Sequence, residues 1–173
     1  MIRILRQIFS TGIVTEDVLG QEEAHIKVVG DRLEEAVKKL FRGSLAIRQV
    51  DAGSCNGCEL EIHALNNSIY NCERYGIHFT ASPRFADMLL VTGPVSRNME
   101  VALRRTYDAT PTPKLVVAVG DCGCNGGIFG ETYASLGGID KVIPVDAYIS
   151  GCPPTPAALL NGILKAIEGK ERS

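Results

Sequence analysis

After Gly43, short apolar runs alternate with segments of helical spacing, and few folds accommodate that pattern. Leu45 to Val50 precedes a helical Leu60 to Tyr70, Ile77 to Ala81 follows, and Met88 to Thr92 precedes Met99 to Tyr107. Leu115 to Val119 continues the series, and Val142 to Ile149 leads into a helical stretch from Ala157 to Ile167. Short runs that are apolar throughout and separated by helices read as parallel strands buried on both faces. The expected fold is a flavodoxin-like three-layer α/β domain with a mostly parallel sheet. Open sheets of this kind take ligands in the crevice beyond the carboxyl ends of the strands. The turns after Val50, Thr92, Val119 and Ile149 are therefore expected to converge on one edge.

Ahead of this series, Asp31 and Glu34 have the spacing of a capping box, Leu33, Val37, Leu40 and Phe41 share one helical face, and Gly43 can cap the end. Ile2, Leu5, Ile8 and Phe9 also fall at helical spacing beside Arg3 and Arg6, a stripe that would dock on a partner or on the chain's own core. The chain divides accordingly into residues 1–43, an N-terminal extension with an amphipathic helix suited to partner docking, and residues 44–173, the α/β domain.

Residue balance narrows the function. The 18 basic and 20 acidic residues leave no electrostatic footprint for nucleic acid, and the absence of tryptophan removes the usual stacking platforms. The opening MIRILRQIFSTGIV is too short and too interrupted for a signal peptide, and no apolar run reaches the length of a membrane span, so a cytoplasmic location is expected. In a reducing compartment the six cysteines point to metal binding or catalysis rather than to disulfides.

Three of the converging turns carry cysteines: Cys55 and Cys58 in DAGSCNGCELE, Cys122 and Cys124 in VAVGDCGCNGGIFG, and Cys152 in DAYISGCPPTP. The two-residue spacer lets Cys55 and Cys58 bite one metal or one cluster edge, although zinc sites share that spacing. Cys58 is expected to open a helix with Glu59 and Glu61 in its first turn and Ile62, Leu65 and Ile69 as its inward stripe. The glycines around Cys122 would let main-chain amides approach cluster sulfurs. A phosphate loop is the weaker reading, because Gly120, Gly123 and Gly126 make G-x-x-G-x-x-G and no Walker lysine follows. Cys152 stands directly before Pro153 and Pro154, as ferredoxin ligand runs close on Cys-Pro. Sulfurs from separate strand ends favour one iron-sulfur cluster over a local zinc knuckle or a flavin site.

SCNGCELEI, ASPRFADMLLVTGPVSRNM, GDCGCNGGIF and VIPVDAYISGCPPTPAALLNGIL, in that order, resemble the small subunit of membrane-bound, energy-converting (group 4) nickel-iron hydrogenases of formate hydrogenlyase type. The same stretches are similar to the cluster-binding B subunit of respiratory complex I, where two adjacent cysteines stand at the place of the separated Cys55 and Cys58. The resemblance implies one 4Fe-4S cluster, the proximal one, on Cys55, Cys58, Cys122 and Cys152, with Cys122 rather than Cys124 as the ligand before the double glycine. It implies an electron-transferring subunit of an oxidoreductase, with the nickel-iron centre in a large partner subunit. A ferredoxin-like iron-sulfur subunit would supply electrons, and a membrane arm would hold the complex peripherally on the inner face of the cell membrane. The equivalent subunit of a complex I-like enzyme reducing a quinone or another acceptor is the alternative.

Other residues carry blander readings. Cys72 reads as a buried thiol and His63 as an exposed or hydrogen-bonded histidine. The helix dipole accounts for Glu59 and Glu61, the alternative being proton passage or interface contacts beside the cluster. Arg97 reads as solvated or as a partner contact.

Overall fold

The computed structural model describes residues 2–11 and 19–171. Five strands, β1 (Leu45–Asp51), β2 (Ile77–Phe79), β3 (Met88–Thr92), β4 (Leu115–Val119) and β5 (Ala147–Ile149), form one sheet in the order β2-β1-β3-β4-β5. Every pairing is parallel, as the alternation requires and as the flavodoxin-like order prescribes. Six α-helices are described with them: α1 (Ile2–Thr11), α2 (Leu19–Phe41), α3 (Gly57–Ala64), α4 (Arg97–Ala109), α5 (Gly120–Asn125) and α6 (Pro156–Glu171).

Side chains alternate across the sheet with period two, and each face packs its own helices. Leu45, Ile47, Met88, Leu90, Leu115 and Val117 meet α2, α3 and α6 on one side. Leu89, Val91, Val116 and Ala118 meet Leu103 of α4 and the segment holding Ile139, Val142 and Ile143 on the other.

Three expectations change. The helix before Gly43 does not start at a capping box on Asp31, because α2 runs straight through it; Ile26 and Val29 extend the buried stripe of Leu33 and Val37 backwards into the core. Glu34 forms an ion pair with Lys38 at 2.5 Å instead, and Leu40 is 39% exposed on the margin of the stripe. Gly43 does close the helix, its N–H donating to the Val37 carbonyl at 3.2 Å. The helix after Cys58 ends at Ala64, because the Asn67 side-chain oxygen accepts the N–H groups of Ile69 and Tyr70, each at 2.9 Å. The inward stripe is therefore Ile62 and Leu65, and Ile69 is 53% exposed. The run from Val142 to Ile149 yields a strand only over Ala147–Ile149, Pro144 interrupting it, while Val142 and Ile143 fill the core from the preceding turn.

In α1, Ile4 and Phe9 are exposed; the side chains of Ile2, Leu5 and Ile8 lie outside the described residues.

Because the α2 stripe is part of the domain core, Leu33→Ala should cost about 2–5 kcal/mol in urea unfolding. Phe9→Ala, at an exposed position, should change stability by less than about 0.5 kcal/mol.

Candidate metal centre

Three local devices build the site at the carboxyl edge of the sheet. At the end of β1 the Asp51 carboxylate accepts the N–H groups of Gly53 at 2.7 Å and Ser54 at 2.8 Å, and Ser54 Oγ accepts the N–H of Asn56 at 3.1 Å. These bonds turn the chain so that Cys55 stands in the loop and Cys58 in the first turn of α3. After β4, Asp121 clamps two strand ends together: its N–H donates to the Gly151 carbonyl at 2.9 Å, and its carboxylate accepts the Gly151 N–H at 2.8 Å. That pair of bonds holds the α5 turn carrying Cys122 against the β5 turn carrying Cys152.

Cys55, Cys58, Cys122 and Cys152 line one pocket, together with Gly93, Asp121 and Pro153. Cys124 does not line it; its thiol points between strands, towards the carbonyls of Ile149 at 3.7 Å and Ala118 at 4.0 Å. Cys72 is fully buried, with its thiol donating to Asn66 Oδ1 at 3.1 Å. Among the described residues no three His, Cys, Asp or Glu side chains are gathered tightly enough to hold a single metal ion.

The backbone comes close to the sulfurs at two glycines. A Cβ at Gly120, where φ is +78°, would stand 2.7 Å from Cys58 Sγ, and one at Gly127, where φ is +52°, would stand 2.9 Å from Cys122 Sγ. Both torsions lie in the left-handed region that a side chain resists. The glycines thus leave open the space against the thiols that a bound group needs.

Electrostatically, the thiols oppose their own ionisation. Burial pushes the Cys58 thiol up to about 12, helped by the neighbouring Glu59 carboxylate and then by Cys55, Cys122 and Cys152. Burial raises Cys122 as well, followed by Cys152, Cys55 and Asp121. Thiolates grouped in this way need a cationic core to hold them, which is the condition iron or zinc satisfies. The donor set fits a thiolate-bound metal group.

Glu59, read from the sequence as a helix-dipole residue with an interface or proton role as the alternative, is only 5% exposed, and both carboxylate oxygens are buried without a partner in this chain. Glu61 is half-buried, and His63 is exposed on α3. Arg97 is exposed, its Nε donating to the Tyr133 carbonyl at 2.7 Å. Asp51 and Asp121 were missed as builders of the site; the Asx-turn pattern of DAGS carried a signal for Asp51.

A doubly wound parallel sheet with four thiols gathered at its carboxyl edge defines an α/β domain whose ligand site is built of cysteines. The chain belongs to the family described as NADH ubiquinone oxidoreductase, 20 Kd subunit, whose profile matches residues 55–166. It is 48% identical over 131 residues to formate hydrogenlyase subunit 7 of Escherichia coli K12, covering 76% of this chain but 51% of that protein. It is 43% identical over 140 residues to the probable membrane-bound hydrogenase subunit mbhJ of Pyrococcus furiosus, covering 79% of this chain and 84% of the relative. In three dimensions it matches a chain of the membrane-bound sulfane sulfur reductase, an archaeal respiratory membrane complex, with a TM-score of 0.67 and 40% identity over 81% of this chain and 75% of the other. The chain thus spans about half the length of the E. coli relative and most of the length of the other two. Its family is one of oxidoreductase subunits.

Gly120→Ala should drive a methyl group against Cys58 Sγ and lower the content of any metal held at the pocket at unchanged secondary structure, as read by metal analysis and circular dichroism. The raised Cys58 value has a second consequence. A thiol with a higher pKa folded than unfolded stabilises the fold below the unfolded value and loses that contribution as pH rises through the folded one. The metal-free, reduced chain should therefore show a falling urea midpoint between pH 9.0 and about 12, and Cys58→Ser should flatten the decline.

Proposed function

We propose that this chain is the electron-transferring small subunit of a multi-subunit nickel-iron hydrogenase complex. It would carry one 4Fe-4S cluster on Cys55, Cys58, Cys122 and Cys152, between a ferredoxin-like subunit and the nickel-iron centre of a large subunit. The observation that carries this reading is the meeting of four thiols, from the ends of β1, β4 and β5, in one pocket with glycine backbone against two of them. Four thiols brought together from three separate strand ends suit a cluster better than a local zinc knuckle.

When bound, the cluster supplies a one-electron carrier. This chain's part is to hold and insulate it. Cys58 would anchor it from the first turn of α3 and Cys122 from the short α5 turn. The Asp121 clamp fixes the spacing of Cys122 from Cys152. Leu60, Ile128 and Phe129 expose apolar surface on the segments that carry Cys58 and Cys122, and a large subunit would cover it.

Residues 1–43 would add a second contact, through Ile4 and Phe9 of α1 beside Arg3 and Arg6. Among the described residues no helix is long and apolar enough to cross a membrane. Attachment to the inner face of the cell membrane would then run through partner subunits. The separated Cys55 and Cys58 favour the hydrogenase branch over a complex I-like quinone reductase.

Anaerobic purification with its partners, followed by metal analysis and low-temperature EPR after reduction, tests this. Expected are iron and sulfide in equal amounts, nickel in the large partner, and a 4Fe-4S signal lost in Cys122→Ser but kept in Cys124→Ser. Zinc without sulfide would overturn the cluster, and a cluster without nickel would move the chain to the quinone-reducing branch.

A further inference from the structure

A second cavity, of about 250 Å³, lies between the carboxyl half of β1 and α3, apart from the cysteine pocket. The topology opens it. β2 makes its last pairing at Phe79 against Ile47, so from Arg48 onwards β1 has no strand beside it on that side. The gap is walled by α3 and by the chain leaving β2.

Its polar wall consists of Arg48, Gln49, His63, Asn66 and Thr80, and no acidic residue lines it. Arg48 Nε is buried and has no acceptor in this chain. Among the described residues the Arg48 guanidinium makes no ion pair, whereas Arg32 and Arg104 each have a carboxylate partner. Asn66 uses its carbonyl oxygen to accept from Cys72, which leaves its amide hydrogens for the cavity side. A partly buried cation without a counter-charge is costly, and a guanidinium presents the fork that matches a carboxylate.

We infer that this cavity binds a carboxylate, with Arg48 as its charged anchor and Gln49, Asn66 and Thr80 as neutral donors. The cavity falls below the roughly 300–1,000 Å³ of ordinary small-molecule pockets, so the group it takes is the size of a small organic acid or an acidic side chain. The carboxylate comes either from free solute or from an Asp or Glu of an adjoining subunit.

Thermal unfolding of the cluster-loaded full chain, in acetate or malonate against chloride at matched ionic strength, separates the two sources. It is run on wild type, Arg48→Met and Arg48→Lys. A free acid gives a saturable rise in melting temperature in wild type, a smaller rise in Arg48→Lys and none in Arg48→Met. A subunit-borne acid gives no such rise, but Arg48→Met weakens association with the partner subunits at least about tenfold. Without added carboxylate, Arg48→Met should melt no lower than wild type, since it removes an uncompensated charge. An equal rise in wild type and Arg48→Met, or no rise in either together with unweakened association, would overturn the site. Iron and sulfide, measured on the same samples, report the cluster independently, so the failure of either reading is distinguishable.

Discussion

β3 and β4 have no exposed residue: from Met88 to Thr92 and from Leu115 to Val119 every side chain is buried. Parallel strands of that kind exist only where helices cover both faces, since nothing else removes so much apolar surface from water. The rest of the architecture follows from that need. α2, α3 and α6 close one face, and α4 with the segment around Ile139 closes the other. With both faces sealed, ligand chemistry is left to the strand ends, where turns carry backbone groups free to meet a bound group.

At that edge, local order and chemical cost run against each other. The Asp51 turn and the Asp121 clamp are ordinary hydrogen-bonded devices, yet they hold thiols whose ionisation burial and mutual repulsion oppose. Glu59, buried and unpartnered beside Cys58, adds to that opposition. Natural sequences violate local stability rules mainly where function needs it, and here the violations gather round one pocket. Arg48, its Nε buried and unpaired beside the cavity next to β1, is a comparable case.

Departures from the sequence reading have local causes. A capping-box spacing at Asp31 carries little weight once Ile26 and Val29 supply a buried stripe that continues the helix. Conversely, the apolar spacing from Leu60 to Ile69 implied a long helix that one asparagine cuts short, because the Asn67 side chain competes for the backbone N–H groups. Pro144 likewise shortened a run that was apolar enough to be a longer strand.

From sequence alone, the strands, their parallel sense and the three cysteine-bearing turns were legible, because apolar runs and glycine-rich turns are properties of contiguous residues. The family was legible too, since its motifs lie in those same turns. The family resemblance preferred Cys122 to Cys124, and the tertiary structure supplies the geometry: Cys122 lines the pocket while Cys124, two residues on, points between β4 and β5. Tertiary structure alone decided that Glu59 is buried and that Arg48 opens onto a cavity. These depend on how the strand ends align with one another: Asp121 bonds Gly151 across 30 residues, and β2 stops at Phe79 opposite Ile47. Contacts of that span are set by packing the whole sheet, and no local pattern encodes them.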